Sequence, residues 1–216
     1  MQTEKKRWYC IMKIVILGGF LGSGKTSVLL QFARYLTNTC KSEKEHKVVI
    51  LENEISDQGI DNQVLQNENL TVQNVFSGCI CCTNSGYLVG AVKEIQKTFE
   101  PEWLLIEATG LAYPGSISDI IFQHLNLKSS VLVLVDAKRW KRVKLALPDF
   151  AQSQVSDAKV VLINKIDLVA EEKLHLVEKD IEEINGDSYN YKICAIQPQN
   201  DSLWKQIIDI FEQDYI

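Results

Sequence analysis

The sequence predicts an α/β fold in three layers, with a mostly parallel central sheet and helices on both of its faces. Apolar, β-branched runs alternate along the chain with amphipathic stretches, which is the pattern of a parallel sheet covered by helices. The first apolar run, residues 11–17, leads directly into a glycine-rich segment and then into a stretch with helical spacing. A strand, a glycine-rich loop and a helix in this order are the expected beginning of such an α/β fold.

The first strand and helix are the most clearly marked elements. Residues 13–17 are apolar and β-branched, and residues 25–38 carry apolar side chains at helical spacing. The same two patterns predict further strands at 48–51, 70–76, 103–106, 130–135, 159–163 and 191–195. They predict further helices at 87–98, 116–124, 150–156, 170–184 and 203–214. Residues 38–47 are polar and indicate a surface connection, and residues 52–68 indicate a long, polar, functional loop.

Length and composition are those of one globular domain. The chain has 216 residues, of which 46% are hydrophobic and 24% are charged, ordinary values for a soluble protein. We expect residues 1–216 to form a single domain, with residues 1–11 as a disordered or non-essential extension. The formal charge of −5 argues against nucleic acid as a partner, and no apolar run is long enough to predict a membrane span.

Cysteine usage and the N-terminal sequence predict a cytoplasmic protein. The basic stretch 5–7 precedes an apolar run, but Lys13 interrupts that run and the glycine-rich segment ends it, which is not the pattern of an export signal. Three of the six cysteines cluster in Cys79-Ile80-Cys81-Cys82. In a reducing compartment, clustered thiols bind metal or do redox chemistry more often than they form structural disulfides.

The glycine-rich segment fits the phosphate-loop pattern G-x-x-x-x-G-K-T. Its glycines allow backbone N–H groups to turn toward the β-phosphate, and the following helix N-terminus adds its positive dipole end. Lys25 would reach the β- and γ-phosphate oxygens as a catalytic group, and the Thr26 hydroxyl would ligate Mg²⁺. The predicted nucleotide-binding residues of this loop are Gly19, Gly22, Ser23, Gly24, Lys25, Thr26 and Ser27. The sequence therefore predicts a nucleoside triphosphate site.

A second motif, Asn164-Lys165-Ile166-Asp167, follows a predicted strand and is the pattern that reads guanine. The Asp167 carboxylate can accept hydrogen bonds from N1–H and from the exocyclic amine of guanine, a pair that adenine does not offer. Asn164 would bind the other edge of the base and brace the phosphate loop, and the Lys165 stem would lie over the ring. Cys194-Ala195 occupies the place where a loop N–H completes guanine binding.

A third motif, Glu107-Ala108-Thr109-Gly110, follows the predicted strand 103–106. Glu107 would support Mg²⁺ directly or through water, and the Gly110 N–H would reach the γ-phosphate. Leu111 stands where many small GTPases have the glutamine that orients water. We therefore expect slow hydrolysis unless Glu107, a partner, or one of the acidic residues Glu54 and Asp57 positions the water.

The fourth feature is the C-x-C-C motif of Cys79, Cys81 and Cys82. Three thiols within four residues can converge on one soft or borderline metal, but they need a fourth ligand to complete a tetrahedral site. Glu54, Asp57, a histidine or water could supply it. A redox pair and buried cysteines without metal are the competing interpretations.

With these motifs the chain resembles the CobW-type branch of the metal-handling GTPases related to UreG and HypB. The resemblance implies a P-loop GTPase fold in which the state of GTP is coupled to metal binding, with Glu54 in a switch segment near the γ-phosphate and the cysteines. The family commonly has Asn-Glu-Phe-Gly-Glu where this chain has Asn53-Glu54-Ile55-Ser56-Asp57. Its typical second, C-terminal domain and His-rich tracts are not expected within these 216 residues, which hold three histidines.

These features lead to two hypotheses of different classes. The first is a GTPase metallochaperone or metal-insertion factor that handles Zn²⁺, Co²⁺ or Ni²⁺ for a client enzyme. The second is a GTP-dependent activator of a corrinoid or metalloenzyme partner, with the cysteines as a metal or redox sensor. A small-molecule P-loop kinase is disfavoured, since such kinases usually read adenine. The class also predicts a nucleotide-dependent homodimer.

Overall fold

The computed structural model describes residues 12–39, 47–52, 70–74 and 85–215. The strands are β1 (Lys13–Gly19), β2 (Val48–Glu52), β3 (Leu70–Asn74), β4 (Trp103–Glu107), β5 (Ser129–Asp136), β6 (Val160–Asn164) and β7 (Tyr189–Lys192). The α-helices within these ranges are α1 (Lys25–Thr39), α2 (Ser85–Thr98), α3 (Pro114–Leu125), α4 (Trp140–Ala146), α5 (Pro148–Val155), α6 (Glu171–Ile184) and α7 (Asp201–Glu212). Short 3₁₀ turns span Ile166–Leu168 and Gln213–Tyr215.

The seven strands form one sheet in the order β3-β2-β4-β1-β5-β6-β7. Every strand pair in it is parallel, so the predicted mostly parallel sheet is parallel throughout the described strands. Such a sheet has both faces buried, which explains why the central strands are continuous apolar runs rather than alternating ones. The α/β fold class predicted from the sequence is confirmed.

The two faces of the sheet carry separate apolar cores. Along β1, Ile14 and Ile16 belong to one core, while Val15 and Leu17 belong to the other, because successive side chains of a strand point to opposite faces. Helices α2, α3, α5 and α6 cover the first face. Helices α1 and α7 cover the second, where Phe32 packs against Trp204 with ring centroids 5.3 Å apart. The chain therefore has the predicted three layers.

The bounds of several elements differ from the sequence predictions, and four helices, α2, α3, α5 and α7, begin two residues earlier than predicted. The last strand is Tyr189–Lys192 rather than 191–195, because β7 is an edge strand with mainly exposed side chains and therefore lacks an apolar signal. Helix α4 was not predicted, since its seven residues are too short and too charged for a clear period. Helix α7 begins two residues earlier than predicted, where the Asn200 side chain accepts a hydrogen bond from the Ser202 amide at 2.9 Å.

Some predictions fall on residues outside the described ranges. The polar connection 38–47 is described only at its two ends, and the loop 52–68 only at Glu52. Among the described helices, none combines the length and the apolar character that a membrane crossing requires.

The topology brings the polar ends of several strands to one edge. Parallel strands all present their carboxyl ends at the same edge, where ligands of open α/β sheets bind. Glu52 and Glu107, the last residues of β2 and β4, are register partners. Asp136 and Asn164, the last residues of β5 and β6, are register partners as well. The loop between β1 and α1 lies at this edge too.

Candidate nucleotide-binding site

The loop between β1 and α1 has a backbone conformation, with positive φ angles at three positions, that glycine adopts more readily than other residues. Gly19, Gly22 and Gly24 have φ values of +133°, +72° and +102°, in the region that L side chains rarely adopt. A Cβ on Gly24 would lie 2.5 Å from Nδ2 of Asn164. A loop of this shape with a helix directly after it fits the predicted phosphate cradle.

Lys25 lies across this loop. Its side chain is buried, with 5% of the residue exposed, and Nζ donates to the carbonyls of Gly19 at 3.1 Å and Phe20 at 3.4 Å. The loop therefore holds a positive charge at its centre. The Ser23 hydroxyl is buried beneath the same loop, and no residue of the described ranges forms a hydrogen bond with it.

Oxygen ligands suited to Mg²⁺ gather beside Lys25. The Thr26 hydroxyl donates to Oε1 of Glu107 at 3.0 Å. Glu107 and its register partner Glu52 are both buried at the edge of the sheet. Hydroxyl and carboxylate oxygens are the ligands that Mg²⁺ prefers, so Thr26 and Glu107 fit the predicted magnesium role. Glu52 was not assigned a site role from the sequence, although it ends a strand at this edge.

Asn164 joins three segments through one buried side chain. The residue is 2% exposed, and its Nδ2 donates to the Ser23 carbonyl at 2.7 Å. Its Oδ1 accepts hydrogen bonds from the amides of Lys165 at 2.7 Å and Ala195 at 2.8 Å. The predicted brace between the guanine motif and the phosphate loop is present, and the Ala195 loop is tied to the same amide.

Two further carbonyls of the phosphate loop accept hydrogen bonds from side chains. Nζ of Lys165 donates to the Gly22 carbonyl at 2.6 Å and to Oδ2 of Asp136 at 2.7 Å. Nη1 of Arg139 donates to the Leu21 carbonyl at 3.2 Å. Together with the bond from Asn164 to Ser23, three consecutive carbonyls each accept from a different side chain. Sequence reasoning missed Asp136 and Arg139, although Asp136 ends a strand at the functional edge and could have been found by that position.

Asp167 is exposed and contacts the loop after β7. Its Oδ1 lies 3.1 Å from Sγ of Cys194, which donates to it. That hydrogen bond, and to a smaller extent burial, raises the pKa of the Cys194 thiol. The two predicted guanine-binding segments therefore meet through side chains.

Two glutamines not predicted from the sequence secure this loop. Nε2 of Gln31, on α1, donates to the Ala195 carbonyl at 2.8 Å. The Gln31 Oε1 accepts from the Gln199 amide at 2.9 Å, and the Gln199 side chain donates to the Cys194 carbonyl at 2.8 Å. A glutamine on an amphipathic helix gives no sequence signal for such a contact.

The turn after β4 packs directly on the phosphate loop. A Cβ on Gly110 would lie 2.6 Å from the Leu21 amide nitrogen, so glycine is required for this approach. Leu111, the residue in place of a water-orienting glutamine, is 69% exposed. Ser27 lies exposed on the first turn of α1.

The proposed transition-metal ligands lie outside the described residues. They are Cys79, Cys81, Cys82 and Glu54, and the same holds for Asp57. Within the part of the chain that the structure describes, no three His, Cys, Asp or Glu side chains come close enough to hold a metal ion. The structure therefore brings together the nucleotide residues and leaves the C-x-C-C prediction untested.

Comparison with known proteins agrees with this geometry. The family model of the CobW/HypB/UreG nucleotide-binding domain matches residues 13–191. The zinc chaperone YjiA of Escherichia coli is 32% identical over an alignment of 173 positions that covers 75% of this chain and 52% of that protein. Zinc-regulated GTPase metalloprotein activator 1 of Dictyostelium discoideum is 28% identical over an alignment of 225 positions that covers 85% of this chain and 46% of that protein. The chain thus spans about half the length of these relatives.

A solved structure supports the fold independently. The hydrogenase maturation factor HypB of Archaeoglobus fulgidus superposes with a TM-score of 0.66, over 92% of this chain and 89% of that chain. The two sequences are 16% identical, so this likeness concerns the fold alone.

Proposed function

The chain belongs to the CobW/HypB/UreG nucleotide-binding-domain family, and we propose that it is a GTP-binding and GTP-hydrolysing metallochaperone or metal-insertion factor. In this proposal the state of the nucleotide controls the binding of Zn²⁺, Co²⁺ or Ni²⁺ at Cys79, Cys81 and Cys82. The observation that carries it is the bond from Asn164 to the Ser23 carbonyl, which unites a guanine motif and a phosphate loop in one site. The names of the relatives, a zinc chaperone and a zinc-regulated activator, support a metal cargo.

The nucleotide half of the proposal assigns one task to each group. Asp167 accepts from N1–H and the exocyclic amine of guanine, and Lys25 offsets the charge of the β- and γ-phosphates. Thr26 and Glu107 would hold Mg²⁺, which supplies further charge neutralisation when bound. Because Leu111 cannot orient water, hydrolysis is slow unless an acidic residue or a partner does so.

Base selectivity tests this half. In competition with a fluorescent GDP analogue, ADP should bind at least about a hundredfold more weakly than GDP, because a site built for guanine leaves polar groups unpaired with adenine. Asp167→Asn should lower the affinity for GDP and raise the affinity for xanthosine diphosphate (XDP), because the Asn side-chain amide can donate to the 2-oxo group of xanthine. Asp187→Asn, at an exposed position before β7, is the matched control. Equal affinity for GDP and ADP in the wild-type protein would refute guanine specificity.

Metal retention tests the other half. Reduced protein should withdraw Zn²⁺ or Co²⁺ from a competing chelator, and Cys81→Ser should abolish this, since thiolates are strong ligands for these ions. Cys40→Ser removes a thiol outside the motif and should leave retention unchanged. Identical retention by the wild type and by Cys81→Ser would remove the cysteine motif from the proposal.

A second candidate function has its own support. The relative from Dictyostelium discoideum is called a metalloprotein activator, which favours a GTP-dependent regulator of a corrinoid or metalloenzyme partner. Under this alternative the cysteines sense metal or redox state. If a partner co-purifies with the protein in the presence of a GTP analogue but not in the presence of GDP, the regulator hypothesis is favoured over simple metal delivery.

We also propose that the protein forms a nucleotide-dependent homodimer. A homodimer formed across the nucleotide edge would place each phosphate site against the other copy. Light scattering should then give twice the monomer mass with a GTP analogue and the monomer mass with GDP. The same mass in both states would remove the dimer from the proposal.

A further inference from the structure

Helix α5 contacts both the phosphate loop and the segment after β4 through one buried side chain. Gln154 is 2% exposed, and its Oε1 accepts a hydrogen bond from the Gly19 amide at 3.0 Å. Its Nε2 donates to the Ala112 carbonyl. Since a buried amide side chain is costly unless both of its ends are paired, Gln154 stabilises one particular spacing of the two segments.

Phe150, four residues earlier on α5, connects the same two segments by ring contacts. Its ring centroid lies 4.8 Å from that of Phe20 in the phosphate loop and 5.3 Å from that of Tyr113. Residues four apart share one helix face. One face of α5 therefore carries a polar and an aromatic bridge between the same pair of segments.

The two segments also touch each other where glycines remove the side chain. Gly110 packs against the Leu21 backbone, and Gly18 packs against Pro114. The turn that contains Gly110 is closed by the Ala112 amide, which donates to the Thr109 carbonyl at 3.0 Å. Contacts this close leave little room for one segment to shift without the other.

We propose that Gln154 is a positioning residue that sets the distance between the phosphate loop and the turn 109–112. In the proposed site the Gly110 amide donates to the γ-phosphate, which GDP lacks, so Gln154 contributes to the discrimination between GTP and GDP. The inference rests on the proposed function, because it takes the site to bind both nucleotides.

Two substitutions separate the two bonds of Gln154. Gln154→Glu keeps an acceptor for the Gly19 amide and, when ionised, has no donor for the Ala112 carbonyl. Its negative charge opposes the phosphates of both nucleotides, so we expect both affinities to fall, with a loss about tenfold larger for a non-hydrolysable GTP analogue than for GDP. Gln154→Met removes both bonds and should lower both affinities, again with the larger loss for the GTP analogue. Gln152→Met, exposed on the same helix, is the control and should change neither.

The ratio of GTP-analogue affinity to GDP affinity decides the outcome. Partial unfolding of a variant would lower both apparent affinities by the same factor and leave this ratio unchanged. An unchanged ratio of GTP-analogue to GDP affinity in both variants would overturn the positioning role. If the wild-type protein binds neither nucleotide, the proposed function fails; if it binds both and only the ratio is unaffected, this inference alone fails.

Hydrogen exchange of the wild-type protein gives a test that needs no variant. Exchange of the Gly19 and Ala112 amides should slow together when the GTP analogue replaces GDP, since one side chain holds both segments. Protection at Gly19 without any change at Ala112 would contradict the inference even if both Gln154 variants failed to fold.

Discussion

The side-chain amide of Asn164 donates to the Ser23 carbonyl at 2.7 Å, so the residue that begins the guanine motif also holds the phosphate loop. The next two carbonyls toward the N-terminus, those of Gly22 and Leu21, accept from Lys165 and Arg139. The guanine motif and the phosphate loop are therefore parts of one hydrogen-bonded unit. A ligand that orders one part is expected to order the other.

Asn164→Ala should uncouple the two parts. The change leaves the Ser23 carbonyl and the amides of Lys165 and Ala195 without their buried partner, and it should cost about 2–4 kcal/mol of unfolding free energy. GDP affinity should fall at least about tenfold. Chemical denaturation and nucleotide titration measure the two effects. Asn190→Ala, on the exposed edge strand β7, is the control. Equal unfolding free energies and equal GDP affinities of the two variants would contradict the bracing role of Asn164.

Gly24→Ala should disrupt the phosphate loop, although the substitution adds only one methyl group. The residue has φ +102°, and the new Cβ would lie 2.5 Å from Nδ2 of Asn164. We expect a loss of more than about 1 kcal/mol in stability and of nearly all nucleotide binding. Gly90→Ala is the matched control, because a Cβ there meets nothing within 4 Å and helix α2 should gain about 0.5–1 kcal/mol. If Gly24→Ala bound GDP normally, the loop assignment would be wrong.

Tyr215 should make stability fall at alkaline pH. Its hydroxyl accepts from the Ile14 amide at 2.9 Å, and burial raises its pKa from 10.0 to about 12. The neutral phenol is favoured in the folded state, so this contribution is complete below pH 10 and is lost as the pH rises through about 12. At about 1.4 kcal/mol per pKa unit, this shift of about two units corresponds to a loss of about 3 kcal/mol.

The variant Tyr215→Phe tests this dependence. It should be less stable than wild type near pH 8, and its unfolding free energy should decline less steeply between pH 10 and 12. Tyr189→Phe, an exposed position on β7, should leave stability at pH 8 within about 0.5 kcal/mol. Parallel alkaline profiles for the wild type and Tyr215→Phe would refute the assignment.

Cys194 should report occupancy of the base site. Its hydrogen bond to Asp167, 3.1 Å from Sγ to Oδ1, raises the pKa of the thiol, so less reactive thiolate is present near pH 8. Asp167→Asn should therefore speed alkylation of Cys194 severalfold, as followed by mass spectrometry of the peptide that contains it. Bound GDP should slow alkylation in the wild type. An unchanged rate in both comparisons would contradict the pairing of the two side chains.

The sequence predicted the parts of the site that depend on local pattern. Gly24, Lys25 and Asn164 lie in contiguous motifs, and each motif follows a buried strand, so their position at one edge follows from the parallel topology. Gln154 and Arg139 could not be predicted, because each contacts a segment more than a hundred residues away and neither lies in a recognisable pattern. Their roles depend on helix packing that only the folded chain defines.

The fold was predicted best where strands are buried on both faces. The central strand β1 was found because its buried side chains form a continuous apolar run. The edge strand β7 was misplaced because its exposed side chains, such as Tyr189 and Asn190, carry no apolar signal. The metal motif at Cys79, Cys81 and Cys82 stays a prediction.

Calorimetric titration of reduced protein with Zn²⁺, first with GDP and then with a non-hydrolysable GTP analogue, tests the central claim most directly. We predict that the affinity for Zn²⁺ differs at least tenfold between the two states, about 1.4 kcal/mol of coupling, and that Cys81→Ser removes the difference. Equal Zn²⁺ affinity in both nucleotide states would contradict the claim that GTP controls the metal.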